Sequence, residues 1–132
     1  MPTEEEVATA LKALLDTPLA SYGAVSGAVK ALDYDDAQKT TAEHVQLSVA
    51  RRFSDAERGG RESQSPWRVQ TRPVGDTISN GREMNRICYL ALSGIRVTAG
   101  GKTSTPTRLE SADDIGPDNG KFSGLTTWTL TF

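Results

Sequence analysis

A chain of 132 residues with 36% apolar and 6% aromatic residues has the material for one domain and one modest core. Its net charge of −2 gives no global attraction to nucleic acid or an anionic membrane. No stretch approaches the roughly 20 apolar residues of a membrane helix, and the acidic start, MPTEEEVATALKALL, reads as neither a signal nor a transit peptide.

The distribution of charge says more than its sum. Residues 1–43 carry eight acids and three bases, residues 44–110 eleven bases and six acids. All ten arginines lie between Arg51 and Arg108. Two readings stand side by side. One is a solvated surface with scattered charge. The other is an acidic face of one copy meeting a basic face of the next, a heterologous contact of the kind that closes into rings.

Thr3 to Asp16 reads as a helix. Thr3 and Glu6 are spaced as a capping box. Glu4, Glu5 and Glu6 complement the positive end of the helix dipole. Val7, Leu11, Leu14 and Leu15 make one apolar stripe, and Pro18 is expected to stop the helix. Residues 19–43 are ambiguous: Tyr22-Gly23 looks like a turn, and Ala24 to Leu32 suits a short strand or a loose helix. Asp33, Asp35 and Asp36 lack the longer ligand pattern of a calcium loop and read as a solvated acidic loop.

His44 to Phe53 alternates apolar and polar residues, as a half-buried strand does. His44, the single histidine, has no nucleophile or metal-ligand partner in the pattern and reads as a satisfied surface residue. Ser54 to Ser65 reads as a flexible loop, with Arg58 and Arg61 flanking Gly59-Gly60. Pro66 to Arg72 is a second strand, with Trp67, Val69 and Thr71 on one face. Asp76 to Gly94 is the clearest helix of the second half, with Asp76 as N-cap and Gly94 just past its end. Its apolar side holds Ile78, Met84, Ile87, Cys88 and Ala91. The one cysteine, Cys88, therefore reads as a small core residue. Gly81 inside this helix points to the close approach of another backbone.

Ile95 to Thr98 reads as a short strand, Gly100-Gly101 as a hairpin turn, and Lys102 to Glu110 as the returning strand. Gly101-Lys102-Thr103 resembles the end of a phosphate loop, but the required earlier glycine is replaced by Arg96 and no helix follows. Ala112 to Gly124 is a turn-rich loop in which Gly116-Pro117 and Asn119-Gly120 are turn residues. Leu125 to Phe132 is a final strand with Trp128, Leu130 and Phe132 on one face. The expected fold class is α+β: one domain over 1–132, a mostly antiparallel sheet with two main helices packed on one face.

From Pro66 onward the chain resembles the tail terminator (tail-to-head joining) proteins of long-tailed bacteriophages, those of actinobacterial siphophages especially. The resemblance is carried in order by the strand WRVQTRPVG, the helix DTISNGREMNRICYLALSG and the strand IRVTAGGK. The return TPTRLES, the loop ADDIGPDNGKFSG and the closing strand LTTWTLTF complete it. The family's N-terminal helix is matched in kind by Thr3 to Asp16.

The resemblance implies a homohexameric ring that caps the tail tube, ends tube polymerisation and joins the tail to the head connector. The implied partners are further copies of the chain, the major tail tube protein and a head-completion or connector protein. Genomic DNA would pass through the lumen without sequence-specific binding. The implied location is the tail–head junction of the virion, assembled in the host cytoplasm. No enzyme activity, cofactor or metal is expected, and no membrane.

No residue-level motif of that family transfers to this chain, so interface candidates come from charge alone: Glu4, Glu5 and Glu6 on the acidic side, and Arg51, Arg52, Arg58 and Arg61 on the basic side. Other readings are another neck protein of the phage, a nucleic-acid binder using the basic stretch 44–110, and a small enzyme. The nucleic-acid reading wants stacking aromatics that the chain largely lacks. The enzyme reading wants convergent titratable groups.

Overall fold

A computed structural model describes residues 2–22, 29–51 and 66–132. Helix α1 spans Glu4–Tyr22. Thr3 caps it, its Oγ1 accepting from the Glu6 N–H at 3.1 Å. Val7, Leu11, Leu15 and Leu19 recur at helical spacing and are fully buried. Leu14 lies off this stripe and is 39% exposed.

The expected stop at Pro18 is corrected, because the helix runs through Pro18 to Tyr22. An interior proline costs about 3 kcal/mol. Stopping there would expose Leu19, whose burial stabilises by about 1.5–3 kcal/mol, and would release Tyr22, which packs on the core. Pro18→Ala restores the missing N–H within the helix. It should raise stability by about 1–2 kcal/mol, the gain being trimmed by a freer unfolded chain. An unchanged or lower melting midpoint would contradict this account of α1.

Strand β1 (Ala31–Leu32) and the single-turn helix α2 (Tyr34–Ala37) resolve the ambiguous region after residue 28. Both hang on α1. The Asp16 carboxylate accepts from the Ala31 N–H at 3.0 Å, and the Lys12 ammonium donates to Asp33 at 2.8 Å. That hydrogen bond, more than the opposing burial, holds the Lys12 pKa above its usual value. The aspartates expected in a loop thus flank and form α2, and Asp33 is an ion-pair partner.

Strand β2 is His44–Arg51 and strand β3 is Pro66–Gly75. The expected end of β2 at Phe53 and the flexible loop 54–65, with Arg52, Arg58 and Arg61, lie outside the described residues. β3 runs past the expected end at Arg72 because partners flank it on both sides. β2 pairs with it antiparallel along its length, from His44↔Val74 to Arg51↔Trp67. Its residues alternate without a break, with Trp67, Val69, Thr71, Pro73 and Gly75 buried.

Helix α3 (Ile78–Leu92) follows. Its N-cap is Thr77, whose Oγ1 accepts from the Asn80 N–H at 3.1 Å; this corrects the expected Asp76. Asp76 instead donates its N–H to Glu43 and gives its carboxylate to the Lys121 ammonium. Past the helix, Gly94 adopts φ +71°, as a C′ glycine should. Met84, Cys88 and Leu92 are buried, with Ile87 and Ala91 packed beside them; Ile78 is 37% exposed. The close approach expected at Gly81 is present. A Cβ there would lie 2.8 Å from the Ile115 side chain and 3.3 Å from the Phe122 carbonyl.

Strands β4 (Thr98–Ala99) and β5 (Lys102–Thr103) form a small hairpin. Gly100 and Gly101, both at positive φ, make its turn, and this is what a type I′ turn demands. The strand expected at Ile95 begins only at Thr98. Residues 95–97 are instead tied across to the return chain, by Thr107 N–H to the Ile95 carbonyl and Ser104 N–H to the Val97 carbonyl, both at 2.8 Å. Thr107 also donates its hydroxyl to the Leu92 carbonyl at the end of α3.

Strands β6 (Arg108–Ala112), β7 (Gly116–Asp118), β8 (Lys121–Ser123) and β9 (Thr126–Thr131) complete the chain. The turn-rich loop expected over 112–124 is corrected, since it contains β7 and β8. Their pairing runs from Asp118↔Lys121 to Gly116↔Ser123, then resumes from Ala112↔Thr126 to Arg108↔Thr129 with an irregularity between Leu109 and Ser111. The four segments are thus one long, interrupted hairpin. Its tip is Asn119-Gly120, at φ 50° and 81°. β9 and β8 both pair with β3, so the hairpin lies along the central strand.

The result is the expected α+β class: a mostly antiparallel sheet in one domain, seven-stranded among the described residues, with β1 parallel to its neighbour. α1 packs on β2, α3 packs on β3, and the two helices pack on each other. Between helices and sheet lie Trp67 and Trp128, each 1% exposed.

Candidate functional site

The alternation that buries Trp67, Val69 and Thr71 turns Arg68, Gln70 and Arg72 to the opposite face of the sheet. Register brings Gln46 and Ser48 of β2 and Thr127 and Thr129 of β9 beside them. This face is polar and half-covered. Gln70 donates to Thr127 Oγ1 at 3.4 Å, and Arg68 faces Glu110 at 3.5 Å.

At one end of this face the chain builds a cleft of about 560 Å³. Gln46, Arg72 and Val74 form its floor. α2 with residues 40–42 makes one wall, and Asp118, Asn119 and Lys121 at the tip of the long hairpin make the other. The cleft joins segments far apart in sequence, and Lys121 ties them. Its ammonium donates to the Thr41 carbonyl at 2.9 Å and to the Asp76 carboxylate. His44 lines the cleft and is only 6% exposed, which corrects the surface placement expected for it. Its Nδ1 lies 2.9 Å from the Ala42 carbonyl, so the ring is bonded as expected.

Arg72 is the open charge of the cleft. Its Nη1 stands 3.9 Å from Asp118 with both side chains more than 40% exposed, a pairing of little energetic weight. Its Nε is closed off from solvent, without an acceptor among the described residues, and its Nη groups are the ones that face the cleft. Asp118 meanwhile accepts a hydrogen bond from Ser123 at 3.0 Å. An acceptor brought into the cleft would find a guanidinium with donors to spare.

Cys88 is buried against the sheet, and burial pushes its thiol up to about 12. It is expected to resist a thiol reagent in the native state and to react only on unfolding. Rapid labelling of the folded chain at pH 8 would contradict the placement of α3. Burial first, then Glu43, Glu83 and Asp76, raises the Tyr22 hydroxyl pKa. No group of three or more His, Cys, Asp or Glu side chains among the described residues is placed to hold a metal ion. No helix of the described residues is long and apolar enough to cross a membrane.

The interface candidates divide as follows. Glu4, Glu5 and Glu6 form the exposed first turn of α1. Arg51 ends β2 and is half-buried; Arg52, Arg58 and Arg61 lie outside the described residues. Glu6 and Pro2 abut Gly100, and the chain just beyond that hairpin bonds Thr131, which is level with Pro66. The acidic turn and Arg51 therefore occupy the same end of the sandwich, not opposing faces. The cleft lies at the other end, where β2 begins. About 23 Å of strand, at ~3.3 Å per residue, separates His44 from Arg51. Sequence reading missed the cleft; the one local signal for its outer wall was Asn119-Gly120, a strong hairpin dipeptide.

No family model matches the chain, and no curated protein matches it. A solved structure shares its fold over 94% of each chain, with a TM-score of 0.55 and 12% sequence identity. That likeness shows the fold alone.

Proposed function

We infer that this chain is a structural ring subunit of a phage neck, which caps the tail tube, ends its polymerisation and joins it to the head connector. The reading rests on the resemblance of residues 66–132 to tail terminators. The observation that supports it best is the one-sided sandwich: the helices seal one face of the sheet, while the other presents a polar surface with a cleft at one end. Such a surface suits contacts between protein copies. The reading assigns the chain no catalytic step. Its one thiol is buried with a raised pKa, and its one imidazole is buried and bonded to a backbone carbonyl.

The test is tube growth in vitro. Added to polymerising tail tube protein of the same phage, the chain should arrest elongation and appear at one tube end in electron micrographs. Tubes of unchanged length with bare ends would contradict the reading.

A further inference from the structure

We propose that the cleft around Arg72 receives the acidic first turn of α1, with Glu4 and Glu5 foremost, from a second copy of this chain. The contact deepens the ring-subunit reading and rests on it.

Three features of the surface carry it. The first is unmet hydrogen bonding in the cleft. The exposed Nη groups of Arg72 have only a loose approach to Asp118 at 3.9 Å among the described residues, while Lys121 is already held by Asp76 and Thr41. Arg72 is thus the group that an incoming carboxylate would satisfy, and charge-assisted bonds of this kind are the strong ones.

The second is a complementary group outside the ion pairs of the described residues. Glu4 and Glu5 are exposed on the first turn of α1, and neither carboxylate joins the ion pairs of the described residues. Glu6 leans on Gly100 and is less free.

The third is placement. The acidic turn and the cleft lie at opposite ends of the sheet, so one copy can give its turn to a neighbour and receive another in its own cleft. Such a contact is heterologous; it repeats from copy to copy and closes when the rotation allows. At about 560 Å³ the cleft has room for the side chains of one helical turn, and its walls offer Tyr34, Gln38, Thr40 and Asn119 as further polar partners. The contact keeps Glu4 and Glu5 as the acidic side of the interface. On the basic side it puts Arg72 in place of Arg51.

Sedimentation velocity and native mass spectrometry of the full chain test this. The wild-type chain should self-associate, more weakly at 500 mM than at 50 mM salt. Arg72→Glu, and separately Glu4→Lys with Glu5→Lys, should each weaken association by about tenfold or more. The chain carrying all three changes should regain it, since the charges are exchanged and not removed. Unaltered far-ultraviolet circular dichroism identifies the variants as folded.

Association of Arg72→Glu at wild-type strength would overturn the contact, and so would failure of the triple variant to recover. A wild-type chain that stays monomeric would also overturn it. The tube-capping reading is judged separately, on tube length. Should association survive Arg72→Glu while tubes are still capped, the ring reading stands and this interface falls.

Discussion

Trp128→Ala is expected to lower the unfolding free energy by about 3–5 kcal/mol. Trp128 is 1% exposed at the middle of β9. It pairs with Val69 on one side and Leu109 on the other, and the Tyr89 ring of α3 lies 5.6 Å away, tilted by 48°. It therefore joins three parts of the fold: the central strand, the long hairpin and helix α3. Truncation leaves a cavity that neither a strand nor a helix can close without losing its own pairing.

The indole Nε1 has no hydrogen-bond partner among the described residues. Trp128→Phe therefore removes an unsatisfied donor along with some volume, and should cost clearly less than the alanine. Urea unfolding with constant slope would measure both. A loss below about 1 kcal/mol for the alanine would contradict this packing.

The second large effect is at Gly75. A Cβ there would stand 2.6 Å from the Gly81 nitrogen and 3.0 Å from its Cα, both backbone atoms. Strand and helix can separate only by shifting α3 from the core. Gly75→Ala should therefore cost about 2–3 kcal/mol. Gly94 also departs from ordinary backbone, at φ +71°, but nothing lies within 4 Å of a Cβ there. Its alanine variant carries only the backbone strain of about 1–2 kcal/mol. The expected order, Gly75→Ala worse than Gly94→Ala, follows from clash against strain. Thermal unfolding of the two variants side by side would reveal a reversed order.

The middle of the molecule was legible in the sequence because its signals are local. Alternation in β3, the helical spacing of Met84 and Cys88, and the glycine turn at Gly100-Gly101 each declare themselves within a few residues. The class followed from their order. The misreadings have non-local causes. Pro18 is a helix breaker by its own chemistry, and only the burial of Leu19 against distant residues overrides it. Asp76 is as good a cap as Thr77 on paper, until Lys121 and Glu43 claim it.

The hairpin over 108–131 hides its alternation behind Pro117, Gly116 and Gly124. The last of these lies where a Cβ would meet the Asp114 carbonyl at 2.8 Å. The cleft was the least legible feature. Its floor, two walls and open arginine come from residues 34–46, 72–74 and 118–121, and no spacing rule joins them. Charge counting singled out Glu4, Glu5 and Glu6, which the fold places on the exposed first turn of α1. On the basic side it favoured Arg51, which lies at their own end of the sandwich.

The most direct measurement of the proposed function is electron microscopy of particles assembled without this chain. The ring-subunit account predicts tails longer than normal, or tails and filled heads that fail to join, with both defects repaired when the chain is supplied. Joined virions with tails of normal length would contradict it.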